Sequence, residues 1–438
     1  MRKLILTAST MALCLTTGQA FSAGFHLSEY TVTGLGRSFA GSGVVGDDFS
    51  AIGFNPAGMQ YNKTSGVQTG ATAVSLHFDY KGSVGTAATV DKNGVPSAGA
   101  RTGSGHTRPT RVLPHVFAQQ KLNEKATIGI GAYVPFGLAT DYDNGWFAGS
   151  HAGLSQLSAT NISPSFSYQI TDTVALGAAL NIEYITAHLT GQVEQGGLYF
   201  GSSKTDVEGD DYGLGYTLGA TYTPRKDIRL GVSYRSKIEH KLEGDLKVTG
   251  MPNQTYVPTP NGLTVVPTGA ANGKSNVFAK VTLPEVVILS GAYDLNKCFT
   301  LSATAKWTRW SRFKSLDIYK TNGQLASSTK ENWKNTWYYA LGVDYRMNRN
   351  WTFRTGIGYD ETVISSPEFR TTRIPDGRRV LTSLGASWKK DRWQIDAGYT
   401  HIFVHGGRAY GGPEGYSKAD IKYSSDADLF SVGLQYKF

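Results

Sequence analysis

Residues 430–438 read FSVGLQYKF, and their side chains alternate strictly between two kinds. The first kind is apolar or aromatic: Phe430, Val432, Leu434, Tyr436 and Phe438. The residues between them are serine, glycine, glutamine and lysine. Because successive side chains of a β-strand point to opposite faces, this strand has one face that suits lipid and one that is polar.

The same alternation recurs at residues 212–222 and 337–345, where tyrosine, tryptophan and leucine alternate mainly with glycine, threonine and alanine. A soluble β-sandwich also alternates, but it buries large aliphatic side chains on its inward face. Here the second face carries small, polar and charged residues, and aromatics gather at strand ends. The pattern favours a transmembrane β-barrel with aromatic girdles.

A count of such segments gives an even number, as a closed antiparallel barrel with both ends on one side requires. Fourteen strands are predicted, near residues 67–81, 106–120, 125–134, 158–170, 173–190, 208–224, 227–244, 276–294, 299–317, 330–347, 350–360, 378–389, 392–405 and 422–438. Short turns, which face the periplasm, alternate with long loops, which face outside. The long loops are predicted near 82–105, 135–157, 191–207, 245–275, 318–329, 361–377 and 406–421.

The chain begins with a pattern typical of a secretory signal peptide. Arg2 and Lys3 precede an apolar run from Leu4 to Leu15, and small residues lead to Ser22. We predict that residues 1–22 are a signal peptide cleaved after Ser22. Cys298 is then the only cysteine left in the mature chain, so no intramolecular disulfide is expected.

The segment between the leader and the first strand fits neither pattern. Its central part, residues 34–57, reads GLGRSFAGSGVVGDDFSAIGFNPA and has no period of 2 or 3.6. Irregular backbone is tolerated at membrane depth only where protein buries it. We therefore predict that residues 23–66 form an N-terminal hatch, a plug inside the lumen, and that residues 67–438 form the barrel. The alternative is a plain N-terminal linker.

Composition and motifs argue against an enzyme. The nine histidines show no HExxH spacing, no GxSxG elbow occurs, and the glycine-rich run lacks GxGxxG spacing and a preceding strand. We expect no catalytic residue, no metal and no cofactor. The formal net charge is +9, but the lysines and arginines are spread over loops and turns. This distribution favours contact with anionic lipopolysaccharide over nucleic acid, and we expect a monomer in the bacterial outer membrane.

An ordered set of motifs resembles the FadL family of long-chain fatty-acid transporters. The matching motifs are Gly34-Leu35-Gly36-Arg37, Gly41, Asp47-Asp48, Asn55-Pro56-Ala57, Phe136-Gly137-Leu138-Ala139-Thr140, Leu283-Pro284-Glu285, Trp351–Ile357 and Ile374-Pro375-Asp376. The resemblance implies an outer-membrane channel that takes up long-chain fatty acids or similar hydrophobic compounds. It further implies capture at surface loops, transfer to a pocket beside the hatch, and lateral release through the barrel wall.

A water-filled pore is a poor route for such cargo, because exposing an acyl chain of ~16 carbons costs on the order of 10 kcal/mol. Three alternatives stay open. A general porin would have an open, charged lumen without a hatch. An adhesin-like surface barrel would need no pocket. A transporter of neutral aromatic hydrocarbons would need a pocket but no charged group for a carboxylate.

The resemblance places the N-terminal end of the hatch at the binding pocket, so Phe25 is the expected apolar ligand contact. Proline restricts the residue before it, so Asn55-Pro56-Ala57 should form a rigid corner. We expect this corner to hold the hatch where the third strand bends, unless it is only a tight turn into the first strand. The predicted gating and ligand-binding residues are Phe25, Arg37, Asp47, Asp48, Asn55, Pro56, Ala57, Gly129 and Gly131.

Gly129 and Gly131 precede Pro135 in the third strand, and glycine and proline are the residues that a bulged strand uses. The alternative is that these glycines only make space in a crowded lumen. Strand parity also points a set of charged side chains inward, where we predict structural ion pairs. They are Arg229, Arg235, Lys306, Arg354, Glu183, Asp344 and Asp396.

A fatty carboxylate in an apolar pocket needs a cation or several hydrogen-bond donors. The basic ligand positions of the resembling family fall near Thr186 and Asp317 of this chain, neither of which is basic. Three cations lie close to the second position, and we predict that they bind the carboxylate: Arg309, Arg312 and Lys314. The alternative is a neutral cargo.

Overall fold

The fold is taken from a computed structural model. The structure describes residues 24–85, 87–97, 99–143, 145–259, 262–268 and 272–438. The predicted signal peptide, residues 1–22, lies outside the described residues.

Fourteen antiparallel strands, β1 to β14, form a closed barrel within the described residues, as the sequence predicts. Nine are continuous: β1 Gly66–Val84, β3 Ala126–Asp141, β4 Leu154–Gln169, β5 Val174–Gln195, β6 Leu198–Arg225, β11 Trp351–Asp360, β12 Arg378–Lys390, β13 Trp393–His405 and β14 Ala419–Lys437. Five are interrupted: β2 Arg101–Thr107 and Thr110–Lys121, β7 Ile228–Arg235 and Ile238–Thr249, β8 Gly273–Leu283 and Val286–Asp294, β9 Phe299–Thr308 and Ser315–Lys320, β10 Leu325–Lys330 and Thr336–Arg346. Each strand pairs with its neighbour along the chain, and β14 pairs with β1 from Gly66↔Lys437 to Val84↔Ala419.

The remaining elements are short. Five small strands lie in the connections: Ala88–Val90, Pro96–Ser97, Gln254–Thr259, Gly262–Pro267 and Arg408–Ala409. The helical turns are Val32–Leu35, Ala51–Phe54, Pro56–Tyr61, Trp310–Arg312 and Pro367–Phe369. Among the described residues, no helix has the length and apolar character needed to cross a membrane.

The predicted two-faced character of the last strand is confirmed. Phe430 and Val432 are 57% and 64% exposed on the outer wall, whereas Ser431 and Gln435 are buried in the lumen. Ser431 is hydrogen-bonded to Thr72 of β1 across the closing pair, at 2.9 Å between the hydroxyl oxygens. The barrel therefore presents apolar side chains to lipid and satisfies its polar ones inside.

One predicted loop is wrong. Residues 191–207 are not a loop, because β5 and β6 continue through this region and meet at Gly196-Gly197. Both glycines have positive φ, 59° and 76°, which a two-residue hairpin turn of the primed type requires. The predicted loop at 318–329 is likewise short, since β9 ends at Lys320 and β10 begins at Leu325.

Residues 24–65, the described part of the predicted hatch, pack against inward faces of strands on different parts of the wall. Glycines allow the backbones to approach. A Cβ at Gly356 of β11 would lie 2.2 Å from the carbonyl carbon of Arg37, and one at Gly219 of β6 would lie 2.0 Å from Asn55 Oδ1. Whether this segment closes the pore stays a prediction.

The close contact at Gly356 gives a stability prediction. Gly356→Ala should destabilise the folded barrel by about 1–3 kcal/mol, because a methyl group overpacks against the Arg37 backbone. The matched control is Gly291→Ala on β8, where the nearest atom to a new Cβ is the side chain of Leu230 at 3.5 Å. Urea unfolding of both variants in detergent micelles measures the difference. Equal midpoints for the two variants would contradict the prediction.

Candidate functional site

Strand β3 carries a bulge between Tyr133 and Phe136. Its pairing with β4 runs Tyr133↔Asn161 and then Phe136↔Ala159, so Val134 and Pro135 of β3 lie opposite the single residue Thr160 of β4, and β3 has one extra residue. A bulge of this kind bends the strand and leaves backbone groups unpaired. The predicted bend of the third strand is therefore present, at Val134-Pro135.

The N-terminal end of the hatch pairs with this bulge from inside the barrel. The Leu27 N–H donates to the Pro135 carbonyl at 2.7 Å, and the Gly137 N–H donates to the Phe25 carbonyl at 2.8 Å. His26 and Phe136 form the antiparallel bridge between these bonds. Residues 25–27 thus act as a short inner strand that satisfies backbone groups which the bulge exposes.

Beside the bulge, β2 and β3 are no longer paired through backbone hydrogen bonds. The β2–β3 ladder runs from Lys121↔Thr127 only as far as Val116↔Ala132. Beyond it, residues 110–115 of β2 pair with β1 alone among the described strands. We call this interruption the wall gap. Leu27, Leu113 and Val134 are buried in one apolar cluster, so a hatch side chain packs with residues of both bordering strands.

Lys306 of β9 also holds this inner strand. Its Nζ donates to His26 Nδ1 at 3.1 Å and to Ser28 Oγ at 3.0 Å. A histidine that accepts a hydrogen bond from an ammonium group is neutral at that nitrogen. The hatch end is therefore attached to two sides of the barrel, β3 and β9.

Phe25 lies in an aromatic cluster formed where β9 and β10 are interrupted. Its ring centroid lies 4.7 Å from that of Trp310, 5.8 Å from Phe313, 5.7 Å from Trp333 and 6.2 Å from Phe136. Sequence reasoning missed the two tryptophans and Phe313, because it placed them inside continuous strands. The available signal was the stretch WSRF at 310–313, which breaks the alternation of apolar and polar residues.

An apolar cavity adjoins this cluster. Sites for small molecules commonly have such an apolar lining with a few polar groups. Most of the lining residues are apolar: Phe25, Leu138, Leu157, Ala187, Leu189, Val207, Leu242, Val277, Phe278, Ala279, Val281, Phe313, Leu316, Ile318 and Ile374. Three lining residues are charged types: Glu208, Glu331 and Arg373.

Arg373 lies in the connection between β11 and β12, and Glu331 lies in the interruption of β10. Arg373 Nη1 donates to Ser155 Oγ at 2.9 Å and to the Thr190 carbonyl at 3.3 Å, and burial lowers the pKa of Arg373 to about 10. Glu331 accepts hydrogen bonds from Trp333 Nε1 at 3.0 Å and from Thr371 Oγ1 at 3.4 Å. Burial raises the pKa of Glu331 to about 8, so this carboxyl is mainly protonated at pH 7.

The three cations predicted to bind a carboxylate do not line the cavity. Arg312 is ion-paired with Glu285, and Arg309, 48% exposed, lies 3.6 Å from the same carboxylate. Lys314 is exposed. Asp317, which stands near a basic position of the resembling family, accepts hydrogen bonds from Ser315 and Ser328 instead.

The other predicted hatch residues lie away from the cavity. Arg37 binds Asp47 at 2.8 Å and Asp344 of β10 at 3.3 Å, and Arg354 of β11 binds Asp47 at 3.0 Å. Asp48 accepts hydrogen bonds from Thr31, Thr33 and Ser50 within the hatch. Buried ion pairs of this kind are costly to break one partner at a time, so they attach the hatch firmly to β10 and β11.

The Asn55-Pro56-Ala57 corner meets a different part of the wall from the one expected. Asn55 Nδ2 donates to the carbonyls of Ala220 on β6 and Val232 on β7, at 3.2 and 3.3 Å. Asn55 Oδ1 accepts from the Ala57 N–H at 3.1 Å. The expectation that this corner holds the bend of the third strand is wrong, because residues 25–27 make that contact. The rigidity of the corner stays a prediction.

Gly129 and Gly131 lie on β3 below the bulge, where they make space for larger neighbours. A Cβ at Gly129 would lie 2.8 Å from Ile52 and Met59 of the hatch, and one at Gly131 would lie 2.7 Å from the ring of Phe117. Of the two interpretations of these glycines, this geometry favours the one in which they relieve crowding in the lumen.

Two surface clusters hold residue types that bind metals. They are His77 with Asp426 and Asp428, and His188 with Asp206 and Glu208. In each cluster the histidine is already hydrogen-bonded to an aspartate, at 2.6 and 2.7 Å. Glu208 of the second cluster lines the cavity, whereas the first cluster does not. The prediction that the protein needs no metal stays a prediction.

The chain is similar in sequence and in fold to known outer-membrane transport proteins. The chain is 27% identical to a long-chain fatty acid transport protein of Escherichia coli O6:H1, over 99% of this chain and 98% of that one. Its fold is similar to the crystal structure of a Pseudomonas aeruginosa FadL homologue, with a TM-score of 0.84, 24% identity, and coverage of 95% of this chain and 100% of the other. It is also similar to a Pseudomonas putida toluene transporter, TodX, with a TM-score of 0.70, 16% identity, and coverage of 95% and 100%.

The family model for outer membrane protein transport proteins (OMPP1/FadL/TodX) matches residues 13–438, nearly the whole sequence. The closed barrel, the apolar cavity and the motifs of the hatch agree with this match. The chain therefore belongs to the OMPP1/FadL/TodX family of outer-membrane transport proteins for hydrophobic compounds.

Proposed function

We propose that this protein takes up long-chain fatty acids or similar hydrophobic compounds across the outer membrane. The cargo is captured at the surface loops, enters the apolar cavity at Phe25, and leaves sideways through the wall gap between β2 and β3. The barrel acts as a monomer, and its exposed lysines and arginines contact lipopolysaccharide. The relatives support this proposal, since one of them is named for long-chain fatty acid transport.

The observation that carries the proposal is the position of residues 25–27. Phe25 lines the cavity, and Leu27, two residues later, is buried with the residues that border the wall gap. A ligand that displaces the ring of Phe25 therefore pulls on the same short segment that fills the gap. Cavity occupancy and gap opening are coupled through one inner strand.

The free-energy cost of opening is small enough for ligand binding to supply. Opening breaks the two backbone hydrogen bonds to β3, each worth about 0.5–1.5 kcal/mol net, and separates the aromatic ring pairs around Phe25. An acyl chain that enters the cavity regains about 0.8 kcal/mol for each methylene group removed from water. A few buried methylene groups are sufficient to offset the lost hydrogen bonds.

The alternatives fit the geometry less well. A general porin needs an open lumen. Here residues 24–65 lie inside the wall, where they form buried ion pairs and approach glycines of the strands closely. An adhesin-like barrel gives no reason for an enclosed apolar cavity next to a wall gap. A neutral aromatic cargo is compatible with the cavity walls, and the fold likeness to a toluene transporter keeps it as the second candidate.

A disulfide across the inner strand should block transport. His26 and Phe136 are partners in a bridge that lies between two hydrogen bonds, a geometry with Cα atoms about 4.5 Å apart, within disulfide range. We predict that His26→Cys with Phe136→Cys, in a Cys298→Ser background, loses oleate uptake when oxidised and regains it when reduced. Cellular uptake in a strain without its own fatty-acid transporter measures this effect.

The reduced form of the double variant is the matched control for the oxidised form, and Cys298→Ser alone controls for the background. Cross-linking is verified by a gel shift that disappears on reduction. Uptake at the reduced rate by fully cross-linked protein would exclude movement of residues 25–27 as the gate.

Loss of the Phe25 ring should weaken cargo binding. Phe25→Ala removes apolar contact area that a bound chain would share, so we predict roughly tenfold weaker oleate binding to the purified protein. Phe403→Ala is the control, because Phe403 is 48% exposed on the outer wall. Unchanged oleate affinity in a folded Phe25→Ala protein would place the binding site elsewhere.

A further inference from the structure

The charge on the cavity wall is asymmetric. Among the described residues that line the cavity, Arg373 is the only cation, and the two acids are Glu208 and Glu331. Glu208 is 70% exposed at its side chain and lies 3.6 Å from His188. Glu331 is buried. The cavity therefore has one guanidinium group set in an otherwise apolar surface.

The guanidinium group of Arg373 has no counter-ion in the described part of the chain. No carboxylate oxygen there lies within 4.0 Å of its nitrogens, and its acceptors are one hydroxyl and two backbone carbonyls. All of these bonds leave from Nη1. Nε and Nη2 make no hydrogen bond to a described residue, so the edge of the guanidinium group that carries them is unused.

This edge is the one suited to a carboxylate. Nε and Nη2 present two parallel N–H groups, which match the two oxygens of a carboxylate in a bidentate pair. Arginine is preferred for such recognition because its planar group is already in the required geometry. The bonds from Nη1 to Ser155 of β4 and Thr190 of β5 hold the group in place.

Glu331 does not supply the missing charge. Its two oxygens are occupied by Trp333 and Thr371, and burial favours its protonated form. A neutral carboxyl beside the arginine leaves the positive charge uncompensated. Arg373 is half-buried. A charge that is partly removed from water and has no partner is unfavourable, and a ligand that brings the opposite charge relieves that cost.

We propose that Arg373 is the specificity-determining residue of the cavity, which binds the carboxylate of a cargo with a long apolar tail. The inference rests on the proposed function and deepens it, because it selects monocarboxylate amphiphiles over neutral hydrocarbons. Arg309 and Arg312 cannot take this role without leaving Glu285, the carboxylate that they share.

The expected preference for oleate over oleyl alcohol follows from the two hydrogen bonds between Arg373 and the carboxylate. A hydrogen bond to a charged group contributes more than a neutral one, and two parallel bonds should favour oleate over oleyl alcohol by roughly tenfold or more. A neutral ligand of the same length gains the apolar contacts but leaves the guanidinium group unpaired.

The test compares binding of oleate and oleyl alcohol to purified protein in detergent micelles at pH 7, where Glu331 is mainly protonated, for the parent, Arg373→Met and Arg373→Lys. We expect the parent to prefer oleate. Arg373→Met should lose roughly tenfold or more in oleate affinity and bind the alcohol as the parent does, which removes the preference. Arg373→Lys, which keeps the charge without the planar fork, should lie between them. Arg378→Met is the matched control, because it removes an exposed arginine nearby on β12.

Each outcome decides between the two proposals. If the parent binds neither ligand, the proposed function and the role of Arg373 both fail. If the parent binds both equally, the cavity takes hydrophobic cargo but the role of Arg373 fails. It also fails if Arg373→Met keeps the oleate preference, or if Arg312→Met alone removes it. Should Arg373→Met not fold, the parent and Arg373→Lys still decide, since an unchanged preference in the lysine variant excludes recognition by the fork.

Discussion

The requirement that every backbone polar group be paired where lipid replaces water governs this protein. An unpaired N–H or C=O at that depth costs several kcal/mol, and a closed barrel is the sheet that leaves no edge. The pairing of β14 with β1 over nineteen residues, from Gly66 to Val84, meets this requirement at the point where the chain closes. It also makes the wall gap between β2 and β3 an exception that needs its own solution.

At the wall gap, the hatch supplies partners for backbone groups that the barrel strands leave unpaired. The inner strand at residues 25–27 bonds to the bulge of β3, and Leu27 is buried in the same apolar cluster as Leu113 and Val134. In the proposed mechanism only this short segment moves. The ion pairs of Arg37 and Asp47 and the bonds of Asn55 attach the rest of the hatch to β6, β7, β10 and β11. These attachments are separate from the contacts that residues 25–27 make with β3.

The interruptions in β9 and β10 are a second departure from regular strand pairing, and they shape the inside of the barrel. Where these strands stop following the pleat, Trp310, Phe313 and Trp333 turn inward and surround Phe25. The resulting cavity has a mainly apolar lining, and Arg373 is the one cation among its described lining residues. In the proposals above, the apolar wall selects the class of cargo and Arg373 selects its head group. These two roles belong to different residues, so separate substitutions can test them.

The sequence by itself determined the parts of this protein that rest on local patterns. A period of two along each strand, an even strand count and an aperiodic glycine-rich segment were sufficient for the fold, because side-chain direction in a strand depends only on residue parity. The motif set was sufficient for the family. Only the tertiary structure decided where the wall gap lies, which aromatic residues meet Phe25, that the Asn55 corner bonds to β6 and β7, and that Arg373 rather than Arg309 faces the cavity. Each of these depends on which distant segments closure of the barrel brings together, and the sequence around Leu27 or Arg373 does not indicate its distant neighbours.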